Sequence, residues 1–420
     1  MSLTPCGEVS ILLIIESGKF TIYQPIILYR KFSADFIFDG YKLLEQQTLI
    51  TDEKGVIIEV VAEGEAGDGV QKLKGILCPG FINAHCHLEL SHMKGLIAKH
   101  TGLVDFILQV VNERHFANDE ILAAIEAAEN DMLQNGIVAV GDICNNVLTI
   151  SQKNKGRLQY HNFVEAAGFL PAFAKDRFDK ASLIHNEYRT TLNEQQSTLN
   201  PHAPYSVSPQ LFALINDLPN NNLLTIHNQE TIAENDFFEN GTGDFLRLYQ
   251  QMGIDISFFK PTGKTSLQTW LPNFTKEQTI ILVHNVYTSA EDMEFEKLQT
   301  ANCKLQTFFC LCPNANLYIS STLPGVNMLM QHTDNIVLGT DSLASNDQLC
   351  ILAEIKTLQQ NFEELKIETL LQWATSNGAR ALQMDDRLGS FRKGKQPGVV
   401  LIEGIENLQA NEKTFVKRIL

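Results

Sequence analysis

The chain has 420 residues, 44% of them hydrophobic and 20% charged, an ordinary globular composition with enough length for a large core. Its 33 Lys and Arg stand against 49 Asp and Glu, a net charge of −16, which disfavours binding to nucleic-acid backbones or anionic membrane surfaces. The eight cysteines lie mostly in apolar runs without framework spacing, which fits reduced thiols in a cytoplasmic protein and excludes a disulfide scaffold.

Residues 1–25 fit no element. Within them Ile11-Leu12-Leu13-Ile14-Ile15 is too short to span a bilayer, and the residues before it carry Glu8 and no Lys or Arg, unlike a signal peptide. Residues 33–63 read as short strands around glycines, and a similar pattern returns near 388–402, so the two ends are expected to build one small β module.

The run from Gly75 to Ile82 is apolar, contains Pro79-Gly80 and reads as a buried strand reached through a turn. It leads into His85-Cys86-His87. Alternate residues on a strand face the same side, so His85 and His87 project together and can share one metal ion at about 2.0–2.1 Å, as zinc prefers.

Beyond this point apolar runs alternate with amphipathic stretches. Strands are expected at 136–143, 158–165, 223–227, 279–284, 304–309 and 336–340, and helices at 119–134, 289–300, 347–361 and 367–376. With the strand before His85 and one near Asn200-Pro201-His202, eight βα units result, which suits an α/β fold of the (β/α)₈ barrel type. The barrel is expected over 79–387, with 1–78 and 388–420 forming a composite β-sandwich module.

Functional residues of such barrels sit at the carboxyl ends of strands. His85, His87, His227, His284 and Asp341 all fall there. One histidine after an apolar run usually means a satisfied core or rim residue; five polar residues in equivalent places point to a site.

These pieces resemble the amidohydrolase superfamily, in its aminohydrolase and chlorohydrolase branch. The matching stretches are Pro79 to His87, His202-Ala203-Pro204-Tyr205-Ser206, His227-Asn228-Gln229-Glu230-Thr231, His284-Asn285, Cys312-Pro313-Asn314-Ala315-Asn316 and Gly339-Thr340-Asp341-Ser342. The ending Leu388-Gly389-Ser390 through Gly394-Lys395 matches as well. The resemblance implies a metal-bearing barrel with His85, His87, His227 and Asp341 as metal ligands, Glu230 as proton shuttle and His284 beside the reacting water. Asp341 would also accept a proton from that water, and His202 would contact substrate, the bland alternative being a histidine held by its proline turn. Two-metal relatives need a bridging group, often Lys, at the fourth strand's end; Asn200 to Pro204 holds none, so one divalent ion is expected, zinc first and iron second.

Leu88-Glu89-Leu90-Ser91 looks like the aminodeoxyfutalosine deaminases of the alternative menaquinone route. The reaction so implied is hydrolytic loss of ammonia from a 6-aminopurine nucleoside. Adenosine, S-adenosylhomocysteine and methylthioadenosine are alternative substrates. Glu89 has two readings, a substrate contact or a loop brace, and no basic residue for the substrate's benzoate can be named. A small-molecule substrate and, because branch members are often dimers, a homodimer are implied. Two departures stand out: Pro397-Gly398 replaces the usual Ala-Asp, and Ala315-Asn316 replaces the usual Ser-Asn, so Asn316 is read as structural.

Other motifs carry little. Thr262-Gly263-Lys264-Thr265-Ser266 lacks the earlier glycine of a phosphate loop, since residue 258 is Phe258, and Cys310-Leu311-Cys312 lacks a partner pair for zinc. Two rival classes remain, a same-fold hydrolase of cyclic amides or carbon–halogen bonds, and a barrel that binds without catalysis.

Overall fold

The computed structural model describes residues 13–16, 19–22, 29–192 and 196–420, the first two segments as backbone alone. The segment 1–25 lies outside the described residues apart from Leu13–Glu16 and Lys19–Ile22, which pair antiparallel.

Eight parallel strands carry the core: β1 (Phe81–Cys86), β2 (Ile137–Cys144), β3 (Gln159–Ala166), β4 (Gln196–Pro201), β5 (Leu223–Asn228), β6 (Thr279–His284), β7 (Gln306–Leu311) and β8 (Ile336–Leu338). They are buried along nearly their whole length because both faces are covered, although β3 and β4 also bury polar residues such as His161, Asn162, Thr198 and Asn200. Their ladders run β1-β2-β3-β4 and β5-β6-β7-β8, two half-sheets of a (β/α)₈ barrel.

The two seams between the halves use asparagine amides in place of a continuous ladder. At β4/β5, Asn221 accepts from the Leu199 amide at 2.9 Å and donates to the Leu199 carbonyl at 2.7 Å, while Asn200 accepts from the Thr225 amide at 3.0 Å. At β8/β1, the Asn83 Oδ1 accepts from the Thr340 amide at 3.0 Å, and the Thr340 and Asp341 amides both reach the His85 carbonyl at 3.1 Å. This second seam brings β1, which carries His85, against β8, which leads into Asp341.

Outer helices follow the expected period. In Asn118–Gln134 the buried apolar positions Ile121, Ile125, Ala128 and Met132 form one stripe. Ala290–Cys303 starts from a capping box in which Ser289 and Asp292 satisfy each other's amides. Other expectations shift. The helix expected at 347–361 begins only at Ile351, and the one at 367–376 leaves α geometry after Gln372 for a π turn over Trp373–Asn377. Asn377 in that turn donates to the carbonyls of Asp334 and Ile336 below β8.

The single strand expected before His85 is two strands, Ile76–Pro79 and β1. Gly80 separates them at a point of close approach: a Cβ there would sit 2.2 Å from Val138 Cγ1 and 2.8 Å from the Pro397 carbonyl oxygen. Ile76–Pro79 joins a five-stranded sheet, flanked by Val399–Glu403 on one side and Phe36–Phe38 on the other. A four-stranded sheet of Ile57–Ala62, Gln47–Thr51, Arg30–Ser33 and Val70–Lys72 lies over it, with Phe32, Ile37, Leu49, Leu77 and Leu401 in one apolar cluster.

Above the strands' carboxyl ends, Leu103–Glu113, Ile232–Asn240 and Phe245–Gln251 build a separate apolar roof around Phe169, Phe237 and Tyr249. Seven of the cysteines are free; Cys6 lies outside the described residues. Among the described residues no helix is long and apolar enough to cross a membrane.

Candidate active site

The barrel gathers side chains from opposite ends of the sequence. His85 comes from β1, His87 from just beyond it, His227 from β5, His284 from the last residue of β6 and Asp341 from the turn after β8, and all five are buried. His87 Nε2 stands 3.2 Å from His85 Nε2, 3.3 Å from His227 Nε2 and 3.4 Å from Asp341 Oδ1; His85 Nε2 is 3.6 Å from the same oxygen. Ligands at about 2.0–2.1 Å from a tetrahedral zinc ion are about 3.3–3.4 Å apart, so these spacings fit one divalent cation. His85 belongs to two triads of donor atoms each within 4.8 Å, one with His87 and Asp341 and one with His227 and His284.

Outer contacts aim these donors. His227 Nδ1 bonds the His202 carbonyl at 2.8 Å, which leaves Nε2 as the lone pair facing His87. Asp341 Oδ2 accepts from Ser345 Oγ at 2.5 Å, freeing Oδ1 for the histidines. His85 Nδ1 is buried without a partner among the described residues. Burial, reinforced by the charge of His202, holds His227 down to about 4, and burial keeps His87 and His284 well below the ordinary imidazole value, the neutral form a metal requires. Burial alone would raise Asp341, yet the His85 hydrogen bond and the surrounding rings hold it well below the carboxylate range.

Three residues here adopt left-handed backbone: Gln229 at φ 47°, His284 at φ 77° and Asp341 at φ 57°. Such geometry in non-glycine residues needs support from its surroundings. Gln229 has it: its amide donates to Glu234, its Nε2 to Asn235 and Asp292, and its Oε1 accepts from Thr288. The next residue, Glu230, is thereby turned into the cavity, with Oε2 3.6 Å from His284 Nε2. Burial, then the negative charges of Asp341 and Glu234, push its carboxyl well above the usual range, toward a neutral acid.

The cavity over these groups has a volume of about 400 Å³. His202 lines it, with Nδ1 tied to Ser206 Oγ at 2.7 Å and its pKa lowered by burial to about 4. Glu89 does not line it. Its carboxylate accepts from Arg114 Nη2 at 2.8 Å, from the Asn145 and Asn146 amides and from Asn146 Nδ2, which makes it the brace of the two readings rather than the expected substrate contact.

Other contributors escaped the sequence reading. Asn316, read as structural, places Nδ2 3.0 Å from His284 Nδ1 and so orients the ring. With the amide in that orientation Nδ1 accepts, so Nε2 carries the proton. Glu165, next to last in β3, lines the cavity with one buried oxygen lacking a hydrogen-bond partner among the described residues, 3.6 Å from His227 Nδ1. An acidic residue near the carboxyl end of a barrel strand is the available signal. Asp142 on β2 accepts from the Leu88 amide at 2.8 Å and pairs with Lys153 at 2.5 Å, both wholly buried, so this pair docks the segment that follows His87.

Comparisons with known proteins agree with this fold. The profile described as the Amidohydrolase family matches residues 76–418. An adenosine deaminase of Helicobacter pylori is 26% identical over 317 residues, covering 74% of this chain and 75% of its own. An aminodeoxyfutalosine deaminase of Nitratiruptor sp. is 25% identical over 414 residues, covering 91% and 95%. The crystal structure of Helicobacter pylori aminofutalosine deaminase with methylthio-coformycin superimposes with a TM-score of 0.78 at 21% identity, over 93% of this chain and all of that one.

Proposed function

The chain belongs to the amidohydrolase family, hydrolases of carbon–nitrogen bonds, and on that premise we propose that it is a metal-dependent deaminase of 6-aminopurine nucleosides. The observation that carries the reading is a buried, protonation-prone Glu230 beside His284 at the edge of a four-donor cation cluster, inside one cavity. His85, His87, His227 and Asp341 would hold a single divalent ion, zinc before iron, since imidazole and carboxylate suit both. The additional triad of Glu165, His202 and His227 would reuse His227, whose Nδ1 already serves the His202 carbonyl, which favours one ion over two. A divalent ion in such a cluster lowers the pKa of a coordinated water from about 15.7 to about 7, supplying a nucleophile at neutral pH.

The chain's own groups then divide the proton work. Asp341, whose carboxylate faces the cluster, takes a proton from the attacking water. Glu230 gives its proton to the purine ring nitrogen adjoining the attacked carbon, so the ring is neutralised as the new carbon–oxygen bond forms. His284 Nε2–H, held in that tautomer by Asn316, donates to the oxygen on the tetrahedral carbon. The proton on Asp341 passes to the amino group, the carbon–nitrogen bond breaks and ammonia leaves, while the hydroxyl proton on the attacked carbon's oxygen returns to Glu230, which regains its acid form as the 6-oxopurine forms. His202, anchored through Ser206, presents its other ring nitrogen to the purine.

The finer reading is 6-amino-6-deoxyfutalosine as substrate. It is supported by a relative of that name aligned over nearly both full lengths and by the Leu88 to Ser91 run, which docks on Asp142 and Arg114. The test is a panel of metal-loaded assays with adenosine, methylthioadenosine, S-adenosylhomocysteine and aminodeoxyfutalosine, following ammonia and the ultraviolet change from 6-amino- to 6-oxopurine. The highest kcat/KM is expected for aminodeoxyfutalosine. A preference for adenosine would overturn the finer reading alone; no ammonia from any compound would overturn both. Glu230→Gln should keep its metal and lose about 10²- to 10⁴-fold in kcat.

A further inference from the structure

We propose that Glu354 is a positioning residue for the reaction: its buried carboxyl group ties the loop that presents Asp341 to the loop that presents Asn316, and so fixes the metal ligand and the partner of His284 against each other. The proposal rests on the metal-dependent reading of the site. Glu354 comes from the first turn of the outer helix Ile351–Asn361 and is wholly buried, yet it does not line the cavity.

Its hydrogen bonds divide between the two loops. After β7, Asn314 donates twice, from its backbone amide to Oε2 at 2.9 Å and from Nδ2 to Oε1 at 2.9 Å. Asn314 Oδ1 accepts from Thr357 Oγ1 at 2.5 Å, one turn further along the same outer helix, so both ends of this amide are fixed. Asn314 lies in the first turn of the helix Pro313–Ser320, two residues before Asn316, whose Nδ2 meets His284 Nδ1.

After β8, Asn346 Nδ2 donates to the same Glu354 Oε1 at 2.9 Å and to the Thr340 carbonyl at 2.9 Å. That carbonyl belongs to the peptide leading into Asp341, which is held in left-handed backbone at φ 57°. The turn closes through Ser345, the neighbour of Asn346, which donates to Asp341 Oδ2. One oxygen atom, Glu354 Oε1, is thus the acceptor common to both loops.

The loops carry groups with different tasks. Asp341 serves the ion and the attacking water, whereas Asn316 sets the tautomer of His284. Misplacing such groups by about 1 Å costs about 100-fold in rate. A brace that served stability alone would show in Tm and leave the kcat of the folded enzyme and the coordination of the ion untouched.

Cobalt(II) loaded into the site reports coordination through its visible absorption, independently of turnover. In Glu354→Ala, kcat of the folded enzyme should fall about 10- to 100-fold with KM within about 3-fold of the parent, and the cobalt spectrum should change. Glu354→Gln keeps a carbonyl oxygen for both asparagines and should recover most of kcat and the parental spectrum. Two further variants separate the arms and decide the matter if Glu354→Ala does not fold. Asn346→Ala should alter the cobalt spectrum, whereas Asn314→Ala should lower kcat and leave the spectrum parental. A parental kcat in Glu354→Ala, a loss confined to KM, or parental spectra in both Glu354→Ala and Asn346→Ala would overturn the proposal. If no purine nucleoside is turned over, the deaminase reading fails and the spectra decide alone: a change in Glu354→Ala that Glu354→Gln reverses upholds the tie, and parental spectra reject it.

Discussion

Lys153→Met removes the cation from a wholly buried pair and tests how the loop after His87 is held. Asp142 then keeps only the Leu88 amide and a distant Cys144 thiol as partners, while Lys153 Nζ also loses its 2.8 Å contact to Asn162. Burial disfavours the charged lysine, but the Asp142 carboxylate more than offsets this and raises its pKa, so Lys153 is charged in the native state. Removing one member of such a pair costs about 3–5 kcal/mol, most of it the penalty of a stranded charge. Unfolding entropy of about 2.1 cal/mol/K per residue over 420 residues is about 0.9 kcal/mol/K, so the loss corresponds to about 3–6 °C in Tm. Calorimetry of the metal-loaded protein near neutral pH measures it. The double variant Asp142→Leu/Lys153→Met should recover most of the deficit and retain about 1 kcal/mol, because the Leu88 amide still lacks its acceptor. A single variant melting within about 1 °C of the parent would refute the reasoning.

His227→Ala should lose bound metal on elemental analysis after dialysis, and full retention would remove His227 from the ligand set. Asn316→Leu strips the partner from His284 Nδ1 and should lower kcat by about 10- to 100-fold with metal content intact; steady-state kinetics showing an unchanged kcat would contradict the orienting role. Glu354 is buried, and desolvation raises its pKa to about 8 from 4.5, so the folded state holds a proton that the unfolded state releases between those values. Its stability contribution is therefore complete below about 4.5 and fades as pH rises through about 8, and melting curves of Glu354→Gln across that window should be flatter than those of the parent. An equal slope in both proteins would contradict this.

The part of the barrel legible in the sequence was the part written in local pattern. Ile280 to Val283 is an unbroken apolar run closed by a histidine, and its strand has the expected bounds. The convergence of His85, His87, His227, His284 and Asp341 followed from one rule about strand ends applied five times. What stayed hidden depends on partners distant in sequence. Whether Glu89 touches substrate or braces its loop turns on Arg114, 25 residues away, and on the Asn145 and Asn146 amides. The side chain of Asn316 matters only because β6 and β7 are neighbours. The helix Ala174–Thr191 was missed because only Ala174, Ala181, His185 and Tyr188 along its eighteen residues are buried, too sparse an apolar stripe to announce itself. In sequence Gly80 reads as a turn residue; its close approach to Val138 and Pro397 exists only in the folded chain.

The five-stranded sheet imposes an order of events during biosynthesis. Ile76–Pro79 takes Phe36–Phe38 as an early neighbour, but its other edge is covered by Val399–Glu403. From residue 79 to residue 399 the ribosome must add 320 amino acids, which at about 5–20 residues per second takes about 16–64 s. Throughout that interval an apolar strand has an open edge while the nascent barrel grows beside it, an invitation to pair with the wrong chain. Slowed translation, or a stop codon upstream of Val399, would prolong that exposure, so soluble yield in cells should track how promptly the distal strand arrives.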